Sequence, residues 1–173
     1  MACFLSSKVA IIGAGSVGAA IAHSLLLRRV VADIILVDID EERCKAQVWD
    51  LSDASYLSHV RVKQGSYTEA SQADIIIITA GAKQNPGETR LNLIERNYKI
   101  LQTVVQNMMP LRTDAILLLV ANPVDALTHF AQQISGLPRN QVLGSGTLLD
   151  SLRLRGNLAE KLKVSIISNG NPL

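Results

Sequence analysis

The chain has 173 residues, and 48% of them are hydrophobic, which excludes a disordered chain and predicts one compact domain with a sizeable core. Its formal net charge of +2 gives no reason to expect a nucleic acid or an anionic membrane as partner. The two cysteines, Cys3 and Cys44, belong to no CxxC pair or Cys/His cluster, so no disulfide framework or metal site is expected. The apolar N-terminal segment lacks the basic start of a secretory signal, and no apolar run reaches the roughly 20 residues of a membrane span. A cytoplasmic protein is expected.

Short apolar runs bounded by turn residues recur along the chain, as is typical of strands buried on both faces. They are VAIIG, DIILVD, VRVKQG, DIIIIT, AILLLVAN and QVLGSG, near residues 8, 33, 60, 74, 115 and 141. Helical patterns lie between them at about 16–29, 41–52, 90–109, 123–134 and 147–162, and only the third crossover is too short for a full helix. This alternation predicts an α/β fold with a doubly wound parallel sheet. Ligands of such sheets bind beyond the carboxyl ends of the strands, here the loops at 13–18, 38–40, 80–90, 121–123 and 144–147.

The first of these loops contains Gly13, Gly15 and Gly18 in a GxGxxG pattern between a predicted strand and a predicted helix. Gly13 permits a tight turn, Gly15 allows the backbone to approach a diphosphate, and Gly18 lets the helix lie close to the strand. The helix N-terminus then offers free N–H groups to the phosphates. The motif predicts a Rossmann-type dinucleotide-binding domain.

Asp38 closes the second predicted strand, twenty residues after Gly18. A carboxylate at this place can accept hydrogen bonds from the adenosine ribose hydroxyls and would repel a 2′-phosphate, which favours NAD over NADP. The alternative is that Asp38 only caps the helix that starts near Asp40.

Four motifs in order resemble the L-lactate/malate dehydrogenase family, and most closely its lactate branch, as far as about Val164: GAGSVG with VDID, TAGAKQNPGETRLNLIERN, VANPVDALT and GSGTLLDSLRLR. The resemblance implies hydride exchange between a small 2-hydroxy acid and NAD, with a 2-oxo acid as the other reactant. It also implies cofactor binding by Gly13, Gly15, Ser16, Val17, Gly18, Asp38, Ala80, Gly81, Asn97 and Asn122.

The family assigns Arg90 to a closing loop, where it polarises the substrate carbonyl. Arg90 also starts a predicted helix, a poor place for a cation unless function requires it. Gln84 matches the position that selects substrate. Malate-type enzymes hold an arginine there, so a neutral Gln84 favours lactate or pyruvate, although Lys83 next door could supply a charge if the loop shifted.

Three further residues receive roles from the same resemblance. Asn122 would hydrogen-bond near the nicotinamide amide and the substrate oxygen, while as helix punctuation Asn122 and Pro123 fit an N-cap and a first helical residue equally well. Arg153 would bind the substrate carboxylate and Asp150 would orient a catalytic histidine, whereas an exposed Asp150–Arg153 ion pair is the plain structural alternative.

The family's histidine lies in a Gly-Glu-His-Gly-Asp-Ser segment that this sequence lacks, and His23, His59 and His129 do not match it. The sequence therefore predicts a dinucleotide-binding domain at 1–146, and at 147–173 the first helix of a largely missing catalytic domain with a divergent tail. Such a truncated chain is expected to turn over little substrate. A malate dehydrogenase and a non-catalytic nucleotide-binding module remain alternatives.

Family members usually assemble as dimers or tetramers, so a homo-oligomer is expected. Apolar residues of two predicted helices would be covered by another subunit or domain: Leu93, Ile100, Leu101, Val104, Leu149, Leu152 and Leu162.

Overall fold

Strands and helices alternate along the whole computed structural model, which describes residues 7–165. In chain order they are β1 (Lys8–Ile12), α1 (Ser16–Arg28), β2 (Asp33–Val37), α2 (Glu41–Ala54), β3 (Arg61–Gln64), α3 (Tyr67–Ala70), β4 (Ile75–Ile78), α4 (Arg90–Met108), β5 (Ile116–Leu119), α5 (Val124–Ser135), β6 (Val142–Gly144) and α6 (Leu148–Leu162). Two short 3-10 turns, Ser55–Leu57 and Arg139–Gln141, precede β3 and β6.

All six strands pair in parallel in one sheet of order β3-β2-β1-β4-β5-β6. The strand order reverses between β1 and β4, which places a crevice outside the carboxyl ends of these two strands. The predicted doubly wound α/β fold is confirmed. The uncertain crossover between β3 and β4 contains α3, a single turn whose N-terminus is closed by reciprocal bonds between Ser66 and Glu69.

Successive residues of the central strands point to opposite faces of the sheet and build two cores. On one face Ile12, Ile78 and Leu119 pack with Leu101 of α4 and Leu127 of α5. On the other face, Ile11 and Leu36 belong to a second cluster with Leu26 of α1 and Cys44 of α2. Burial on both faces explains why these strands are apolar throughout.

The expectation that α4 presents an uncovered apolar face is wrong. Leu93, Leu101 and Val104 are buried in the protein's own core, with 9% exposure or less, and Ile100 packs against that core, because α4 packs against α5 and α3. On α6 the expectation holds for residues that are about half exposed or more: Leu149 at 57%, Leu152 at 47% and Leu162 at 67%.

No helix between residues 7 and 165 combines the length and apolar character that a membrane span requires. Cys3 and the predicted tail beyond Ser165 lie outside the described residues.

Candidate functional site

A crevice of about 270 Å³ opens where the strand order reverses. Its walls come from the turn after β1, the ends of β2 and β4, and α4. Five of the predicted cofactor-binding residues line this crevice: Gly13, Gly15, Asp38, Ala80 and Gly81. The crevice is therefore the site that the sequence predicted at this end of the sheet.

The glycine turn has the backbone geometry that the motif requires. Gly13 has φ +110°, a conformation that side-chain-bearing residues rarely adopt, and its N–H donates to the Val37 carbonyl at 2.7 Å. A Cβ on Gly18 would collide with the Gly13 carbonyl oxygen. The Thr79 hydroxyl donates to that same carbonyl at 2.9 Å and ties the turn to the end of β4.

The start of α1 suits a diphosphate. Its N-cap residue, Gly15, makes no side-chain capping bond, so the first amides of the helix have no protein acceptor supplied by a cap. A Cβ built on Gly15 meets no atom within 4 Å, which means that protein packing does not require glycine there. Close approach of a ligand to the backbone does require it. Ser16 and Val17 supply two of these amides.

Asp38 lies at the other end of the crevice with its side chain only 10% exposed. Its carboxylate accepts hydrogen bonds from the Ala14 N–H at 2.6 Å and from the Asp40 N–H at 2.9 Å. The capping alternative is wrong, because the N-cap of α2 is Asp40, whose side chain accepts from the Arg43 N–H at 3.1 Å. Asp38 instead joins the glycine turn to the end of β2.

Two side chains near Asp38, those of Tyr67 and Cys44, were not predicted from the sequence to belong to the site. Tyr67 of α3 lines the crevice, and burial together with the Asp38 charge raises the pKa of its phenol. Cys44 is fully buried beneath the same carboxylate, and burial followed by that charge raises the pKa of its thiol. Both groups are therefore neutral at physiological pH.

The loop between β4 and α4 is held by Glu88, the only residue between Lys83 and Arg90 that is not exposed. Its carboxylate accepts from Arg96 Nη2 at 3.0 Å and from the Asn85 N–H at 2.8 Å. Arg96 Nη2 also donates to the Lys83 carbonyl at 2.6 Å, and Gln84 Nε2 donates to the Glu88 carbonyl at 2.8 Å. The predicted substrate selector Gln84 is thus bound within its own loop.

Replacing Glu88 with glutamine is expected to loosen this loop without unfolding the domain. The Asn85 amide loses a charged acceptor, so its hydrogen exchange, measured by NMR, should accelerate severalfold. Glu95→Gln is the matched control, because Glu95 pairs with Lys99 on the exposed side of α4, away from this loop. Equal exchange at Asn85 in both variants would show that the Glu88 carboxylate does not hold the loop.

Asn97 connects the loops that follow β4 and β5. It is 2% exposed, accepts from the Ala82 N–H at 2.7 Å and donates to the Asn122 carbonyl at 2.6 Å. The predicted cap at Asn122 is wrong: the N-cap of α5 is Pro123, the peptide between them is cis, and α5 begins at Val124. The Asn122 side chain is exposed at the carboxyl end of β5 and stays a predicted ligand group.

Arg90 is the first residue of α4, after the N-cap Thr89, and its exposed side chain has no ion-pair partner among the described residues. Arg153 and Asp150 share one face of α6, with Arg153 Nη1 3.6 Å from Asp150 Oδ1 and both side chains largely exposed. The plain ion-pair alternative is therefore present, and the family roles of these two residues stay predictions.

A wider groove of about 1010 Å³ lies at the opposite ends of β1, β2 and β3 and includes His59. Two ion pairs cross it, Arg61–Asp33 at 2.7 Å and Lys63–Glu69. Ligands of open parallel sheets bind at the carboxyl ends of the strands, so the smaller crevice is the candidate site. His23 and His129 line neither cavity.

The strand order, the open N-terminus of α1 and the Asp38 carboxylate define a Rossmann-type dinucleotide-binding domain. The family profile described as "lactate/malate dehydrogenase, NAD binding domain" matches residues 7–144. The chain belongs to this family, and the domain that it carries is the family's NAD-binding domain.

Relatives and solved structures agree with this assignment. The chain is 53% identical over 161 residues to L-lactate dehydrogenase A of Rhizopus oryzae, a match that covers 93% of this chain and 50% of that protein. It is 46% identical over 162 residues to L-lactate dehydrogenase of Staphylococcus saprophyticus, a match that covers 92% of this chain and 51% of that protein. The ligand-bound crystal structure of the minor L-lactate dehydrogenase of Enterococcus mundtii is similar with a TM-score of 0.88 and 39% identity, over 93% of this chain and 52% of that one. The chain spans about half the length of the curated relatives it matches.

Proposed function

We propose that the chain is the NAD-binding part of an L-lactate dehydrogenase, which exchanges a hydride between lactate or pyruvate and NAD. The observation that carries the proposal is the crevice that the glycine turn before α1 and the Asp38 carboxylate line together. The names of the relatives, all L-lactate dehydrogenases among those described above, support the choice of reaction.

Bound NAD supplies the nicotinamide carbon that donates or accepts the hydride. The protein's own contribution is to bind and orient. The amides of Ser16, Val17 and Gly18 would hold the diphosphate at the positive end of the helix dipole, and the Asp38 carboxylate, which already accepts from two backbone N–H groups, would also accept from the ribose hydroxyls. Ala80 and Gly81, which line the crevice at the end of β4, would lie against the cofactor.

The substrate would lie beyond the nicotinamide, between the loop after β4 and the start of α6. Arg153 would pair its guanidinium with the substrate carboxylate, and Asn122 would hydrogen-bond near the carbonyl oxygen. Arg90 would approach on the loop and stabilise the negative charge that develops on this oxygen during reduction. Asp150 would orient a histidine supplied by a further segment.

Gln84 supports pyruvate over oxaloacetate because a neutral amide leaves the second carboxylate of a dicarboxylate unpaired. In a chimera that joins residues 1–164 of this chain to the second half of the Staphylococcus saprophyticus relative, we expect pyruvate to be reduced with the higher kcat/KM. Gln84→Arg should shift the preference towards oxaloacetate by about 100-fold or more, as a steady-state NADH assay would measure. Faster reduction of oxaloacetate by the parent chimera would indicate a malate dehydrogenase instead.

A protein of residues 1–173 alone should bind NAD yet reduce pyruvate slowly, because no histidine in it occupies the acid/base position. Loss of general acid/base catalysis costs typically about 10²–10⁴-fold in rate. Turnover at the rate of an ordinary dehydrogenase would contradict this expectation.

A second candidate function is a nucleotide-binding or subunit-interaction module without catalysis, which the exposed leucines of α6 favour. The chimera separates the two functions: a folded chimera that binds NAD and lacks turnover favours the non-catalytic module.

A further inference from the structure

Arg43 is the only cation among the described residues that line the cofactor crevice. It occupies the first turn of α2, which begins at Glu41 after the N-cap Asp40. A positive side chain is unfavourable there because it faces the positive end of the helix dipole. The helix dipole therefore gives no reason for an arginine at this position, so the reason lies in the groups that its guanidinium contacts.

The guanidinium of Arg43 is held by two carboxylates. Its Nη2 lies 3.0 Å from Asp40 Oδ2 and 3.7 Å from Asp38 Oδ1. The Arg43 side chain is 50% exposed, so solvent weakens both pairs and the guanidinium can exchange partners. It thus lies next to the carboxylate that we assign to the adenosine ribose.

We infer that Arg43 is a specificity-determining residue, a guanidinium able to bind the 2′-phosphate of NADP and neutralised in the native chain by Asp38 and Asp40. The Asp38–Arg43 pair, and not Asp38 alone, then sets the ratio of NAD affinity to NADP affinity. Asp38 repels a 2′-phosphate, while Arg43 offers planar donors that match phosphate oxygens. The inference rests on the proposed use of the crevice for a dinucleotide.

A double-mutant cycle tests this inference on the full chain. The native protein, Asp38→Asn, Arg43→Ala and the double variant are each titrated with NAD and with NADP by calorimetry. Asparagine keeps an oxygen that can accept from the Ala14 N–H and removes the charge. Lys45→Ala removes a cation from the same helix outside the crevice and serves as control, since Lys45 lies over the ring of Trp49.

We expect Asp38→Asn to raise NADP affinity about tenfold, which is the effect of one charge-assisted hydrogen bond to phosphate. The double variant should lose this gain. In the native background, Arg43→Ala should lower NADP affinity more than NAD affinity, and Lys45→Ala should change neither.

Two results would overturn the inference while the native chain still binds NAD: equal NADP affinity of Asp38→Asn with and without Arg43, or an unchanged NADP to NAD ratio in Arg43→Ala. The second comparison stays decisive if circular dichroism shows that Asp38→Asn does not fold. A native chain that binds neither dinucleotide would overturn the NAD-binding crevice itself, and the inference with it.

Discussion

Valine in place of Gly15 is expected to weaken NAD binding strongly while the domain stays folded. The backbone of Gly15 has φ −74° and ψ −174°, an extended conformation that valine adopts readily. The new Cβ meets no protein atom within 4 Å, so the free energy of unfolding should change by no more than about 0.5 kcal/mol. The side chain would occupy the space in which the diphosphate approaches the amides of α1. Loss of two charge-assisted bonds weakens binding by about 100-fold or more in a calorimetric titration.

The same substitution three residues later is the matched control. A Cβ on Gly18 collides with the Gly13 carbonyl oxygen, so Gly18→Val forces the helix away from β1. Overpacking of this kind costs about 1–3 kcal/mol, which urea unfolding would detect. Unimpaired NAD binding by folded Gly15→Val would show that the diphosphate lies elsewhere.

Loss of the Arg90 guanidinium is expected to have the largest effect on the chemical step. In the chimera defined above, Arg90→Gln should lower kcat for pyruvate reduction by about 10²–10³-fold, as for the removal of one donor to a developing oxyanion. The exposed Arg90 side chain has no ion-pair partner among residues 7–165, so its removal breaks no structural pair. Single-turnover measurement of NADH oxidation separates this effect from product release.

Lys99→Gln is the control for Arg90, because it removes one positive charge from the exposed face of the same helix. We expect the control to keep the parent kcat. A kcat within threefold of the parent in Arg90→Gln would contradict the proposed role and would favour a plain surface position at the start of α4.

The sheet and its ligand-binding edge could be predicted because burial on both faces leaves a direct trace in the sequence. The short apolar run Ile75–Ile78 predicted a strand buried on both faces, which is β4. The glycine turn after β1 predicted a dinucleotide-binding loop at the carboxyl end of the sheet. The one-turn helix α3 gave no such trace, since four residues are too few to display a helical period. Its Tyr67 in the crevice was missed for the same reason.

The predictions that failed were those in which one sequence pattern is compatible with two different structures. The apolar stripe of α4 suits either the protein's own core or a second domain, and only the packing of α4 on α5 assigns Leu101 and Val104 to the core. Likewise, an Asn-Pro pair fits a cap one residue earlier than the chain uses. The Glu88–Arg96 ion pair joins the loop after β4 to α4. A loop has no periodicity in its sequence, so this pair could be seen only in the structure.

The central claim is that the crevice between the glycine turn and Asp38 binds NAD. Titration of the isotopically labelled chain with NAD, followed by the backbone amide resonances, tests this most directly. We predict saturable shifts concentrated at Ala14, Ser16, Val17, Gly18 and Asp40. Absence of shifts, or shifts confined to the groove beside Arg61 and His59, would contradict it.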